Sequence, residues 1–168
     1  MSYQRHFKLT DDLIVHLDQV LLKPVDPFLE SRYTGFLAVS AVTVFELTVK
    51  SIFLDFADSK HVILKNFCSE FFSRINGRIG MDSITKEYLQ KFGQKYLKRF
   101  KTRIDRIDRE YLRSRRMSVK NSYSNLITWR NAFAHEGNLP QQATYAEVKE
   151  AYQAGKLVMD CLAGCMKR

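Results

Sequence analysis

The sequence predicts an all-α protein, built as an up-and-down bundle of about five or six helices. Apolar residues recur three and four positions apart through most of the chain, which is the spacing of one helix face. The 168 residues include only seven glycines and three prolines, so turns are few. Neither an internal repeat nor a domain linker interrupts this pattern. We therefore interpret residues 1–168 as one helical domain with a sizeable core.

Three helices are predicted before the first clear loop. Thr10 is a suitable N-cap for the first helix, which should end near Lys23-Pro24. The second helix runs from about Phe28 to Phe56 and is apolar around much of its circumference, which is typical of a helix at the centre of a bundle. A third helix is predicted from Val62 to Ile75.

The second half of the chain begins with its clearest loop, Asn76–Gly80. Ser83 is the expected N-cap of a long amphipathic helix from about Ile84 to Arg113. A turn at Ser114–Ser118 then leads into a helix from about Val119 to His135.

A capping-box pattern, Thr144 with Glu147, begins the final helix. Its apolar stripe continues to the end of the chain and consists of Tyr145, Val148, Tyr152, Gly155, Met159, Leu162 and Met166. Such a stripe can pack inside the bundle or form a dimer seam, and we expect it to pack.

The candidate functional residues lie in one stretch, from Trp129 to Gly137. It places Arg130, Asn131 and His135 at the end of an apolar helix, where a glycine and then a proline are typical of a helix end. Asn131 and His135 are four positions apart and share a helix face, and Arg130 lies next to that face.

These side chains suit cleavage of RNA. A histidine titrates near neutrality and can move a proton, and an arginine can hold phosphate oxygens in a bidentate fork. RNA carries its own nucleophile in the 2′-hydroxyl, so this chemistry requires no metal and no other cofactor. The same residues also fit a structural role, in which the helix dipole favours His135 at the C-terminus and Arg130 pairs with an acid.

The pattern Arg130-Asn131-x-x-x-His135 resembles the RNxxxH signature of the HEPN superfamily. The segment Ala41–Lys50 is also similar to the second-helix pattern of that family, in which a polar residue interrupts an apolar face. Within the superfamily, the sequence resembles the RiboL-PSP-HEPN type. The resemblance implies an all-helical fold. Many members of the family are metal-independent endoribonucleases of toxin–antitoxin and antiviral systems, so the resemblance also implies an endoribonuclease.

The resemblance also implies roles and partners. His135 would transfer a proton, Arg130 would stabilise charge on the phosphorane, and Asn131 would orient the histidine or bind phosphate. Glu46 would face this site, although its spacing also allows a purely local ion pair with Lys50. HEPN proteins commonly form homodimers in which two motifs share one cleft. A homodimer, and an antitoxin or regulatory protein that silences the nuclease, are therefore expected partners.

The net charge of +9 favours an anionic partner, and the leading candidates are nucleic acid and an acidic protein, followed by an anionic membrane surface. Most of the excess positive charge lies on the long amphipathic helix. The candidate RNA-binding residues are Arg99, Arg103, Arg106, Arg113, Arg115 and Arg116. The alternative is a solvated face with local pairs such as Asp105 with Arg109.

The other side chains offer little further chemistry. Cys68, Cys161 and Cys165 are too few for a disulfide framework and lack partners for a zinc set, so we expect buried thiols and no metal site. The N-terminus lacks a signal-peptide core, and the longest strongly apolar run, Phe36–Phe45, is shorter than the about 20 residues that span a bilayer. A cytoplasmic protein without a membrane partner is expected.

Two other functions remain open. The first is a non-catalytic HEPN-like module that binds RNA, a nucleotide or a partner protein. The second is a structural or assembly role, which predicts that Arg130 pairs with an acid of its own subunit and that His135 is packed away from any cleft.

Overall fold

The computed structural model describes residues 2–167, and within them it contains helices and turns but no strand. A 3₁₀ turn (Ser2–His6) leads into α1 (Phe7–Val20), which is followed by α2 (Pro27–Asp58) and α3 (Val62–Ser73). A π-helical turn (Ser83–Leu89) continues into the short α4 (Gln90–Phe92). The last three helices are α5 (Gln94–Arg115), α6 (Val119–Glu136) and α7 (Tyr145–Met166). The predicted all-α bundle is confirmed, with slightly more helices than expected.

The centre of the core is Phe45 of α2, which is fully buried. Its ring stacks on Tyr152 of α7 at 5.5 Å between centroids and lies 5.8 Å from Tyr123 of α6 and 6.1 Å from Phe7 of α1. Gly155 permits this approach, because a Cβ there would come 2.3 Å from the Phe45 ring. Four helices therefore meet at one aromatic cluster.

In this bundle α2 and α7 run parallel to each other and antiparallel to α1 and α6. The directions follow from the contacts, because in each pair of antiparallel helices one residue number rises as the other falls. The contacts are Thr10–Ser40 and Phe7–Phe45 between α1 and α2, and Gly35–Phe133 and Phe45–Tyr123 between α2 and α6. Between α1 and α7 they are Asp18–Tyr145 and Asp11–Tyr152. The C-terminal end of α7 therefore lies at the opposite end of the bundle from the C-terminal end of α6.

Helix α2 is long and apolar enough to cross a membrane by length and composition, with a mean hydropathy of 1.8 over its most apolar window. Of that window, 56% is buried inside the bundle. Packing at the centre of a helical domain, as the sequence predicted, therefore accounts for its apolar composition.

Two predicted N-caps are wrong. Helix α1 begins at Phe7, because the preceding 3₁₀ turn extends it toward the N-terminus, and Thr10 is a buried helical residue whose hydroxyl shares a hydrogen bond with Ser40. Ser83 lies inside helical structure, since the amide of Ile84 already donates to the carbonyl of Gly80.

The predicted long helix from Ile84 to Arg113 is interrupted at Gly93, whose φ of 123° and ψ of 149° are accessible mainly to glycine. Before this break, Tyr88 packs against Phe53 and Phe72 of α2 and α3. The apolar stripe of α5 begins only after it. Phe92 and Tyr96, on either side of the break, both pack against Phe56 of α2, whereas Tyr111 near the end of α5 donates to Glu150 of α7. The chain therefore changes direction and leads from α2 and α3 toward α7.

The later elements agree with the sequence. Ser118 caps α6 by accepting from the amide of Asn121, and the Thr144–Glu147 capping box makes both of its bonds. Most of the α7 stripe is buried in the bundle, including Tyr152, Met159 and Leu162. It packs within the chain, as expected, and is not available as a dimer seam.

Candidate active site

The motif helix α6 ends where the sequence predicts. Gly137 takes the left-handed conformation with φ of 71°, and its amide donates to the carbonyl of Phe133 at 3.0 Å. Arg32 of α2 donates to the Gly137 carbonyl. The end of α6 is thus tied to the beginning of α2.

A close helix contact supports this end of the bundle. The Phe133 ring lies against Gly35, where a Cβ would come 2.2 Å from it, and it packs edge-on against Phe36. The guanidinium of Arg32 lies 4.7 Å from the Phe28 ring and 5.9 Å from the Phe133 ring. Phe28 and Phe36 remain 62% and 58% exposed, which leaves an aromatic surface beside the motif.

Arg130 is half-buried and points toward the Asn76–Gly80 loop. A Cβ built on Gly77 would come 2.3 Å from Nη2 of Arg130, so the guanidinium lies directly on the backbone of this residue. Within residues 2–167 Arg130 forms no ion pair. Its charge is therefore available to an anionic ligand.

The loop beneath Arg130 is fixed by Glu46. The carboxylate accepts from the Gly77 amide at 2.6 Å through Oε2 and from Lys50 Nζ at 2.7 Å through Oε1. The side chains of Glu46 and Lys50 are only 22% and 24% exposed. The sequence allowed either a local pair or a place near the motif, and the structure combines them: Glu46 pairs with Lys50 and reaches the Arg130 side of the motif through Gly77.

Two tyrosines anchor the same loop from below. Tyr123 of the motif helix donates to the Ile79 carbonyl at 2.6 Å, and Tyr88 donates to the Arg78 carbonyl. Burial raises the pKa of both phenols, to about 12 for Tyr88, so each remains a donor at neutral pH. The loop is consequently a fixed wall of the site.

Asn131 and His135 are exposed, and neither side chain has a hydrogen-bond partner in the described part of the chain. They share a helix face, as predicted. Arg130, however, is turned toward Gly77, and no hydrogen bond joins its side chain to that of Asn131 or His135. One protomer therefore presents an open arrangement, with an arginine held on one side and an accessible histidine about one and a half turns along the helix.

This arrangement differs from the structural role considered above, which required an ion pair for Arg130 and a packed His135. Sequence reasoning also missed three contributors, Arg32, Gly35 and Gly77. Only Gly77 carried a signal, as part of the predicted loop, and that signal did not indicate which side chain the loop would meet.

The candidate RNA-binding arginines are all exposed, and they lie away from the motif. Arg99, Arg103 and Arg106 line a groove between α5 and the end of α7. Arg113 and Arg115 lie in the last turn of α5, and Arg116 follows in the left-handed conformation. The pair expected between Asp105 and Arg109 is absent, because the Asp105 carboxylate pairs with Lys120 while Arg109 donates to the Asp105 carbonyl.

Within residues 2–167, no group of three or more histidine, cysteine or acidic side chains is arranged to hold a metal ion.

Comparison with known proteins places these residues in a family. No curated protein and no solved structure matches the chain. The RiboL-PSP-HEPN family model matches residues 5–168, a range that includes α1 through α7 and hence Glu46, the Asn76–Gly80 loop and the motif helix. The protein, with its all-helical bundle and its RNxxxH motif at the end of α6, therefore belongs to the RiboL-PSP-HEPN family of the HEPN superfamily.

Proposed function

We propose that the protein is a metal-independent endoribonuclease. Family membership supports a nuclease or other RNA-related function in general. The observation that carries the finer proposal is the state of the motif: Arg130 is held on Gly77 without an acidic partner among residues 2–167, and His135 is exposed. An unpaired cation and an accessible imidazole are the groups that phosphodiester cleavage needs.

In the proposed reaction a base removes the proton of the 2′-hydroxyl. The O2′–P bond then forms, the P–O5′ bond breaks, and O5′ takes up a proton. The products are a 2′,3′-cyclic phosphate and a 5′-hydroxyl. His135 serves one of the two proton transfers, Arg130 stabilises charge on the non-bridging oxygens, and Asn131 orients the imidazole or binds phosphate. Glu46 contributes by holding the loop on which Arg130 rests.

The proposal includes a homodimer. Two proton transfers are needed and one protomer offers a single histidine at the motif, so a second copy of the motif would complete the site. The exposed rings of Phe28 and Phe36 beside the motif support a surface that a second copy can cover. By analogy with the family, the proposal also includes a cytoplasmic toxin–antitoxin or antiphage role and a silencing antitoxin or regulatory protein.

The test is cleavage of labelled single-stranded and structured RNA in excess EDTA by the wild type and the variants Arg130→Ala and His135→Ala. His16→Ala is the matched control, because His16 is an exposed histidine on α1. Wild type and control should cut and leave cyclic phosphate ends, while the two motif variants should be slower by about 100-fold or more. If wild type binds RNA but never cuts it, the nuclease assignment fails.

One observation favours a second candidate, a non-catalytic module that binds RNA, a nucleotide or a partner protein. Arg130 and His135 do not converge on one point in the protomer. Such a module would bind RNA with similar affinity in wild type and His135→Ala and would leave it intact under every condition.

A further inference from the structure

A groove of about 520 Å³ lies between α5 and the C-terminal end of α7, and we call it the α5–α7 groove. The residues that line it include Lys98, Arg99, Arg103, Arg106, Gly164 and Lys167. Five of these six residues are cationic.

The cations of the groove are largely without counter-charge. Among residues 2–167, Lys98, Arg99, Arg103 and Lys167 form no ion pair, and Arg106 makes only a long contact of 3.8 Å with Glu110. One acid, Asp160, lines the adjoining depression, where it accepts from the Tyr3 hydroxyl at 2.9 Å. Among the described residues, the cations of this surface therefore outnumber the neighbouring acids.

The arrangement is that of a row. Lys98 to Arg106 extend about 12 Å along the helix, at a rise of 1.5 Å per residue. A row of this length fits several successive phosphates of a strand better than a single phosphate, for which cations would converge on one point. The Arg103 guanidinium lies over Gly164, where a Cβ would be 2.6 Å from Nη1, so this arginine faces the groove.

The groove is remote from the motif. Tyr123 of α6 and Tyr152 of α7 both contact Phe45, so they lie at the same height in the bundle. From this height α6 continues to His135, and the antiparallel α7 continues in the opposite direction to Gly164. Twelve helical residues in each direction separate the two places by roughly 36 Å. At about 3.4 Å per stacked nucleotide, a strand that occupies both within one protomer has about ten nucleotides or more.

We propose that the α5–α7 groove is a second RNA-binding site that holds the phosphate backbone of a single strand away from the motif. The choice of RNA rests on the proposed function. The groove positions the strand without reading its sequence, because its contacts are cations along a helix and its floor is formed by Gly164 and the buried Cys165. The groove binds RNA whether or not the motif cleaves it.

The test measures binding of a fluorescein-labelled 20-nucleotide single-stranded RNA to full-length His135→Ala protein, which avoids cleavage, over a series of salt concentrations. Arg99→Gln and Arg103→Gln are added singly and together. Lys101→Gln is the matched control: it removes the same charge from the same helix, but it lies two positions from both arginines and hence roughly 160° around α5.

Each groove variant should weaken binding several-fold and lower the slope of log Kd against log salt by about 0.7, the value for one phosphate contact of a single strand. Lys101→Gln should change neither. The proposal is overturned if the double variant binds like its parent, or if Lys101→Gln weakens binding as much as Arg103→Gln does, since the attraction would then be diffuse. If the wild-type protein never cuts RNA but the groove variants weaken binding as expected, the proposed nuclease activity fails and the groove proposal stands.

Discussion

The guanidinium of Arg130 rests on the backbone of Gly77, where even a methyl group would come 2.3 Å from Nη2. The same glycine has φ of 77° and donates its amide to Glu46. A residue far away in the sequence therefore determines where the motif arginine lies. Three independent requirements meet at Gly77: a left-handed backbone, an amide donor and the absence of a side chain.

Replacing Gly77 by alanine should impair cleavage more than folding. The methyl group meets the mobile end of Arg130 and will displace it, while the left-handed backbone costs about 1–2 kcal/mol of unfolding free energy. A displacement of about 1 Å at a reacting group can lower the rate by about 100-fold. Urea unfolding and RNA cleavage measure the two effects. Gly80→Ala is the control in the same loop, because its Cβ would meet nothing within 4 Å. Equal rates for both variants would show that the position of Arg130 does not matter.

Glu46 should act as a positioning residue for the loop. Glu46→Ala removes the acceptor of the Gly77 amide and should cost about 1–3 kcal/mol of unfolding free energy. It should also speed hydrogen exchange of the Gly77 amide. Glu46→Gln keeps an acceptor oxygen and should restore much of the protection and of the cleavage rate. If the glutamine variant is instead as inactive as the alanine variant while Gly77 stays protected, the carboxylate charge itself takes part in the reaction.

The contrast between α6 and the Gly77 loop shows what sequence can predict here. The bounds of α6 are local properties, and the sequence predicted both of them from the turn at Ser114–Ser118 and from Gly137. The neighbour of Arg130 depends on how α2, the loop and α6 pack together, and no local pattern encodes that packing. Family resemblance pointed to Glu46, but it did not reveal that Glu46 acts through a backbone amide.

The break at Gly93 is a different kind of miss. Apolar spacing continues on both sides of this glycine, and an isolated glycine in a helical pattern is usually tolerated at a cost of about 1 kcal/mol. Tyr88 packs against α2 and α3, whereas Tyr111 near the end of α5 contacts Glu150 of α7, and only the tertiary structure reveals the change of direction between them.

Two glycines of α7 should respond oppositely to alanine. At Gly155 the new methyl group would come 2.3 Å from the buried Phe45 ring, so Gly155→Ala should lower the unfolding free energy by about 1–3 kcal/mol. At Gly164 the obstacle is the movable guanidinium of Arg103. Gly164→Ala should therefore be neutral or stabilise by up to about 1 kcal/mol through helix propensity. Urea unfolding of both variants checks the order, and the reverse order would contradict the packing around Phe45.

The three cysteines should be unreactive in the folded protein. All are buried and free, and burial raises the pKa of Cys161 to about 11 and of Cys165 to about 12. The thiolate is the reactive form, so an aromatic disulfide reagent at pH 8 should modify none of them quickly. In denaturant all three should react. One rapid equivalent in native protein would show that at least one thiol is accessible.

Stability should fall steeply in alkaline solution. Desolvation raises the pKa of Tyr88 and Tyr111 to about 12, and the pKa of the fully buried Tyr123 is raised further. An unfolded tyrosine ionises near pH 10, so the stabilisation is complete below pH 10 and is lost as the pH rises through the folded values. Urea unfolding at pH 8 to 11, with tyrosinate absorbance as a second readout, measures this. Tyr123→Phe should make the decline shallower by about 1 kcal/mol per pH unit above pH 10. A wild-type free energy of unfolding that stays level up to pH 11 would contradict the burial of these phenols.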